Sequence, residues 1–339
     1  MKDLIKRLTE TYGPSGNEEL IREQIKKEIK SLANEVRTDV LGNLIAFTRA
    51  KSSKHKALKV MIAAHMDEIG FIATHIDKQG FVRVSNIGGI YLHNVIAQRV
   101  IFANGTVGTI NEERAENPSE AKRIDKLYID IGAAGKREAE ARVAVGDVAG
   151  FHRSCEFLGN RAIAKSMDDR IGCAIMIEAM KKLKSSPNEI YFVFTTQEEV
   201  GLRGATTAAF GVSPDLGIAV DITGAFDTPD EKPKLPSALG GGAAIKVKDA
   251  GLLAHPAVKK LMIETARANK IPYQLDILEG GTTDGAAIYK TKSGIPTGVI
   301  SVPTRYAHSA SEMVDLGDVK ASVDLLVKLL MLNLSAKGF

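Results

Sequence analysis

Two adjacent acids, Glu198 and Glu199, follow directly on the apolar, β-branched run Ile190-Tyr191-Phe192-Val193-Phe194-Thr195. The run reads as a buried strand, and Gly201 releases the chain into a turn. A pair of carboxylates thus stands at the carboxyl end of a core strand, where open α/β sheets keep their chemistry. The layout recurs. Residues 58–64 form a second core strand that ends in His65-Met66-Asp67-Glu68, and 216–220 a third that ends in Asp221. A fourth strand, 298–302, runs on through Pro303-Thr304-Arg305-Tyr306-Ala307 to His308, while Asp168 and Asp169 precede an apolar helix over 171–183.

If these strands are neighbours, Asp67, Asp168, Asp169, Glu198, Glu199 and Asp221 converge with His65 and His308 at one end of a sheet. Acids crowded without cations repel strongly, and divalent metals offset that charge. Two histidines with several carboxylates are the nitrogen and oxygen set that zinc, cobalt or manganese accepts. The surplus of acids over what one zinc needs suggests two ions sharing a bridging carboxylate. Such a pair suits hydrolysis, with one ion activating water and the other polarising a carbonyl. Singly, each residue has a plainer explanation. His65 could be a hydrogen-bonded core residue, Asp168 and Asp169 a helix cap, Asp221 a turn former and His308 a loop residue. Together at one sheet edge they are harder to explain that way.

The elements that must position them alternate between strand and helix. Residues 1–12 read as a helix ended by Gly13-Pro14. Ser15-Gly16-Asn17-Glu18 has a capping-box pattern and opens a helix with Ile21, Ile25, Ile29 and Leu32 at helical spacing. Strands at 36–40 and 43–48 come next, and the basic loop 51–56 reads as a surface turn. From Gly70 to about residue 160 the pattern changes to short, glycine-punctuated strands at 71–75, 81–84, 98–102, 106–110 and 127–131, with one helix at 137–144. That is the mark of a small β-rich unit, inserted between a core strand and the helix that should follow it. The βα pattern resumes near Arg161, with a helix over 205–210, a helix from Pro256 to 269, a strand at 273–278 and a last helix over 319–334. The expected fold is α/β, a mostly parallel sheet sandwiched by helices. Residues 1–69 plus 161–339 form its main domain, and 70–160 an inserted β-rich domain used in self-association.

The 339 residues are comfortable for two domains. The 45 basic and 41 acidic residues leave a net charge of +4, too balanced to point to nucleic acid or an anionic membrane. Two cysteines cannot build a disulfide framework, which favours a reducing compartment. With no signal-like N-terminus and no apolar run of spanning length, a cytoplasmic location is expected.

His65-Met66-Asp67-Glu68-Ile69-Gly70, Asp168-Asp169-Arg170, Gln197-Glu198-Glu199-Val200-Gly201, Val220-Asp221 and Arg305-Tyr306-Ala307-His308-Ser309 resemble the family-42 metallopeptidases. These are tetrahedral, dinuclear-metal aminopeptidases, some carrying a glutamyl aminopeptidase, cellulase M-like or endoglucanase label. The likeness runs nearly end to end and includes Gln98-Arg99-Val100 and Val145-Gly146-Asp147. Ala97 stands where the family usually has Gly, Ala310 where it has Pro, and Gly240-Gly241-Gly242 lacks a common Lys near where substrate would enter.

The resemblance implies metal ligands His65, Asp168, Glu199, Asp221 and His308 for two zinc or cobalt ions per subunit, with manganese an option and Asp168 bridging. It implies Glu198 as general base, Asp67 orienting His65, and a cis bond between Asp168 and Asp169. It also implies removal of N-terminal residues from peptides by a metal-bound hydroxide, the free amino group sitting among Glu199 and Asp221. By the same resemblance 1–69 plus 161–339 is the catalytic domain, and the insertion 70–160 is a β-barrel-like dimerisation domain that pairs protomers into dimers, which build a tetrahedral dodecamer. A glycoside hydrolase is the alternative, but it gives the histidines no role. A catalytically silent metal-binding protein would have no use for Glu198.

Overall fold

The computed structural model describes residues 1–51, 56–113, 123–229 and 237–339. Most of the basic loop at 51–56 therefore lies outside the described residues. The chain opens with α1 (Lys2–Glu10), α2 (Glu19–Ile29), β1 (Glu35–Thr38), β2 (Leu44–Thr48) and β3 (Lys59–His65). Next come β4 (Gly70–Ile76), β5 (Val82–Ile87), β6 (Arg99–Phe102), β7 (Val107–Glu112), β8 (Leu127–Asp130), α3 (Lys136–Glu140) and β9 (Val148–Phe151). β10 (Glu156–Leu158), β11 (Arg161–Ala164), α4 (Met167–Lys182), β12 (Glu189–Thr195), α5 (Arg203–Val212) and β13 (Leu216–Gly224) follow. The chain closes with β14 (Ala243–Lys248), α6 (Pro256–Ala268), β15 (Tyr273–Ile277), α7 (Asp284–Tyr289), β16 (Thr297–Arg305), β17 (Glu312–Asp315) and α8 (Leu316–Leu330).

One large sheet runs in the order β1-β2-β12-β3-β13-β16-β17-β11-β10, with β14 and β15 branching from β16. Its centre, β12-β3-β13-β16, is parallel. The flanks are antiparallel, because short connections such as β1 to β2 and β16 to β17 can only return the chain as hairpins. The sheet is therefore mixed, more antiparallel at its margins than the βα rhythm implies. Helices α1, α2, α4, α6 and α8 cover one face over a core that includes Ile62, Phe192, Phe194, Ile218, Ile175 and Leu326, while α5 and α7 cover the other over Met61, Ala63, Val193 and Ile288.

Register aligns the site. Thr195 pairs with His65, and Asp221 with Ser301. Between β3 and β13 the last pair is Ala63 with Ala219, two residues short of His65 and Asp221 on each strand. One row across four parallel strands thus holds Thr195, His65, Asp221 and Ser301.

Strands β4-β5-β8-β7-β6-β9 close a barrel with its own core of Phe71, Val84, Val100, Phe102, Ile110, Ile129 and Phe151. It enters and leaves at adjacent points, Gly70 pairing with Gly150. β10, at 156–158, already pairs within the large sheet. The helix expected at 137–144 is only the five residues of α3, and the last helix ends at Leu330, not 334. Among the described residues no helix is long and apolar enough to cross a membrane. Both cysteines are buried and free.

The capping box does not form. The Ser15 hydroxyl donates to Asp67 Oδ2 at 2.6 Å, and Glu18 Oε1 accepts from the amides of Gly16 and Gln197. A local pattern has been taken over by long-range partners, and α2 starts one residue after Glu18 with no side-chain cap.

Candidate metal centre and active site

His65 is the last residue of β3 and almost fully buried. Its Nδ1 lies 3.2 Å from the Asp67 carbonyl oxygen, which can only accept, so Nδ1 carries the hydrogen and Nε2 turns inward to Asp168 Oδ1 at 2.9 Å. His308 repeats the arrangement. Its Nδ1 donates to the Gly89 carbonyl at 2.8 Å, and its Nε2 lies 3.2 Å from Asp168 Oδ2. Each oxygen of Asp168 thus faces one imidazole.

The donor atoms of His65, Asp168 and Asp221 lie within 4.8 Å of one another, and so do those of Asp168, Glu199 and His308. Asp168 is common to both groups. Two N/O sets joined by one carboxylate, each imidazole tied at Nδ1, form a donor arrangement that divalent ions fit.

Asp221 is not at a strand end, since β13 continues to Gly224. Its Oδ1 accepts from the Ile222 amide at 2.7 Å. Asp168 and Asp169 precede the regular part of α4, and the bond between them is cis. Asp169 accepts from the Gly172 amide at 3.0 Å, so it caps the helix while Asp168 faces the histidines.

Glu198 and Glu199 sit in a turn, not in extended chain, because Gln197 takes the left-handed conformation at φ 54°. Their carboxylates still diverge. Glu198 Oε2 is 3.9 Å from His65 Nε2, and Glu199 Oε2 is 3.6 Å from His308 Nε2. Asp67 carries the turn. Its Oδ1 accepts from the Glu198 amide at 3.0 Å and its Oδ2 from the Glu199 amide at 3.2 Å. The Asp67 carboxylate is 3.5 Å from His65 Nδ1, farther than its own carbonyl.

Without ions, burial and crowding push most of these carboxyls up, while their charge favours the imidazolium forms. Burial, then the Asp168 charge, pushes Glu199 up to about 8. Burial also pushes Asp221 up to about 8, against the pull of His65. Glu198 moves well above the carboxylate range by burial, with His65 opposing and Asp221 and Glu199 reinforcing. Burial works against the imidazolium of His308, yet its hydrogen bond to Asp168 and the Glu199 charge outweigh that and raise it to about 11. His65 behaves alike, burial being overcome by Glu198, Asp168 and Asp67. Asp168 stays well below the ordinary range. Burial opposes its charge, but the two imidazoles more than compensate.

A cleft of about 730 Å³ opens onto this cluster. Away from the charged groups its wall includes Leu202, Ile222, Phe226, Leu278 and Tyr91. Gly240, Gly241 and Gly242 are not among the lining residues. Asp318 accepts from the amides of Gly240 and Gly242 instead. Tyr91 and Gly89 come from the barrel, and a Cβ on Gly89 would lie 2.8 Å from His308 Nδ1, so that close approach requires glycine.

Sequence reasoning missed Gly89, Ser15 and Glu312, whose carboxylate accepts from the amides of Asp168 and His308. Their only available signals were the Gly88-Gly89 pair and an acid four residues after His308.

The M42 glutamyl aminopeptidase family profile matches residues 42–325. The lysyl aminopeptidase of Pyrococcus furiosus is 37% identical over 97% of this chain and 96% of its own. An aminopeptidase structure from Desulfurococcus kamchatkensis covers 97% of this chain and 94% of its own at 39% identity and a TM-score of 0.93. The TET1 peptidase of Pyrococcus horikoshii, described as able to assemble into a tetrahedron or a large octahedral shell, covers 97% and 99% at 31% identity and a TM-score of 0.86. With the fold and the two joined donor sets, these matches make the chain a member of the M42 glutamyl aminopeptidase family, and an aminopeptidase.

Proposed function

We propose that the chain removes residues from the free N-termini of peptides, using two divalent ions. His65 and Asp221 would hold one ion, Glu199 and His308 the other, and Asp168 is within reach of both. The observation that carries this reading is the pair of donor groups, each within 4.8 Å, that share Asp168. Ions held there would supply Lewis-acid polarisation of a carbonyl and a more acidic water.

This chain's residues do the rest. Glu198 is not in either donor group, and its carboxylate is drawn toward the proton-holding range by burial. It accepts the proton of the attacking water and passes it to the leaving amine. Asp67 holds the amides of Glu198 and Glu199, so the base and the ligand keep a fixed relation. The substrate ammonium pairs with the acids around Glu199 and Asp221. Zinc or cobalt suits the mixed donors, with manganese an alternative. A glycosidase gains no support, because it leaves His65 and His308 unused.

We also assign the barrel within residues 70–160 to a dimerisation domain and the remainder, with β10, to the catalytic domain, with dimers building a tetrahedral dodecamer in a reducing, cytoplasmic setting. The closed barrel and the assembly described for the Pyrococcus horikoshii relative support the separate domain and the self-association.

Free and Nα-acetylated amino-acid p-nitroanilides, assayed with zinc, cobalt, manganese or a chelator, test the activity. Free substrates should turn over and stop with chelator, and acetylated ones should be inert. Equal turnover of both, or indifference to chelator, would overturn the assignment.

A further inference from the structure

We propose that Glu312 is a positioning residue that fixes the spacing between Asp168 and His308 by holding the main chain of both. Its side chain is buried, at 2% exposure. Oε2 accepts from the Asp168 amide at 3.0 Å and Oε1 from the His308 amide at 2.7 Å. One carboxylate therefore ties together two residues that are 140 positions apart in sequence and belong to one donor group.

The topology explains how. Glu312 is the first residue of β17 and pairs with Ala164, the last of β11, while Met313 pairs with Arg305, the last of β16. The chain leaves Ala164 toward Asp168 and leaves Arg305 toward His308, and Glu312 stands between the two departing loops. His308 needs such an anchor. Its φ is 59°, a left-handed conformation that a residue with a Cβ avoids unless held. Gly89 fixes its ring, and Glu312 fixes its backbone. A carboxylate is the side chain with two acceptor oxygens for two donors. Glutamine would present an NH₂ to one of the amides.

The inference rests on the two-ion reading above. Groups that hold metal ligands from behind typically change metal affinity by about 10–100-fold when lost. Zinc titration by chelator competition, with elemental analysis and the cobalt absorption spectrum, is the test, run on wild type, Glu312→Gln and Glu312→Asp. Wild type should bind two ions. Glu312→Gln should bind the ion at Glu199 and His308 about 10–100-fold more weakly, losing its cobalt bands first, and should weaken the ion at His65 and Asp221, which shares only Asp168 with that group, by less. Glu312→Asp keeps both acceptors but is one methylene short, so it should weaken the same ion less.

Two ions bound by Glu312→Gln at wild-type affinity would overturn the proposal. So would parallel loss of both ions with a lower melting temperature of the metal-free protein, which marks a purely structural role. If Glu312→Gln does not fold, Glu312→Asp decides on the same criteria, and failure of both to fold also overturns it. A wild type that binds fewer than two ions fails in a separate arm and removes the two-ion reading, and this inference with it.

Discussion

Glu198 and Glu199 share a turn and face different imidazoles, and the difference can be measured. Removing a general base typically costs about 10²–10⁴-fold in rate. Glu198→Gln should therefore be nearly inactive while elemental analysis still finds both ions. Glu199→Ala should lose an ion, and excess cobalt should restore part of the activity. The opposite pattern would exchange the two roles. A second expectation concerns pH. In the metal-free protein burial sets Glu199 and Asp221 near 8, and Asp168 holds His308 near 11. All three carry protons at pH 7, yet ligands must shed them to bind an ion. Zinc uptake should release protons, and apparent affinity should rise from pH 6.5 to pH 8. Calorimetry in two buffers of different ionisation enthalpy reads the proton count, and a pH-independent affinity would contradict the assignment. At this scale the sequence was informative wherever a charged residue broke an apolar run, as at His65 and Glu198. For Glu312 it offered only an acid four residues after His308, because its partners are backbone amides that no side-chain pattern records.

Elements set where those residues can go. The turn after β12 is pinned by Asn43, which accepts from the Thr196 amide and donates to the Gly204 carbonyl. A Cβ at Gly204 would lie 2.3 Å from Asn43 Oδ1 and 2.4 Å from the Thr196 carbonyl oxygen. Gly204→Ala should cost about 1–3 kcal/mol, as overpacking does, seen as a lower melting temperature with lowered activity, because the turn carrying Glu198 must shift. An unchanged melting temperature would show that the turn yields freely. Ala97 offers the reverse case. It adopts φ 62° in the barrel, a conformation glycine takes without strain, so Ala97→Gly should raise stability by up to about 1 kcal/mol in a denaturant titration. Strands β3, β12 and β16 were legible from apolar runs. β14, β17 and α7 were not, because short or polar segments acquire their structure from the neighbours they pair with.

For the whole molecule, the barrel reaches the site at the end of the sheet, since the Gly89 carbonyl accepts from His308 Nδ1. If the barrel also joins protomers, multi-angle light scattering should find a particle much heavier than the 36.4 kDa chain. A monomer at every concentration, with or without metal, would rule out that role. The row of Thr195, His65, Asp221 and Ser301 has a further bearing, on how such a chain can change length. Side chains alternate along a strand, so deleting one residue ahead of His65 or Asp221 sends that ligand to the opposite face. Deleting two restores the face but displaces it by roughly 7 Å, beyond the 4.8 Å within which the donors now cluster. Length changes should therefore be tolerated in loops and not in these strands. In a library of single-residue deletions, those within 60–65 and 216–221 should abolish metal binding, while loss of Gly105, in an exposed barrel turn, should leave it intact.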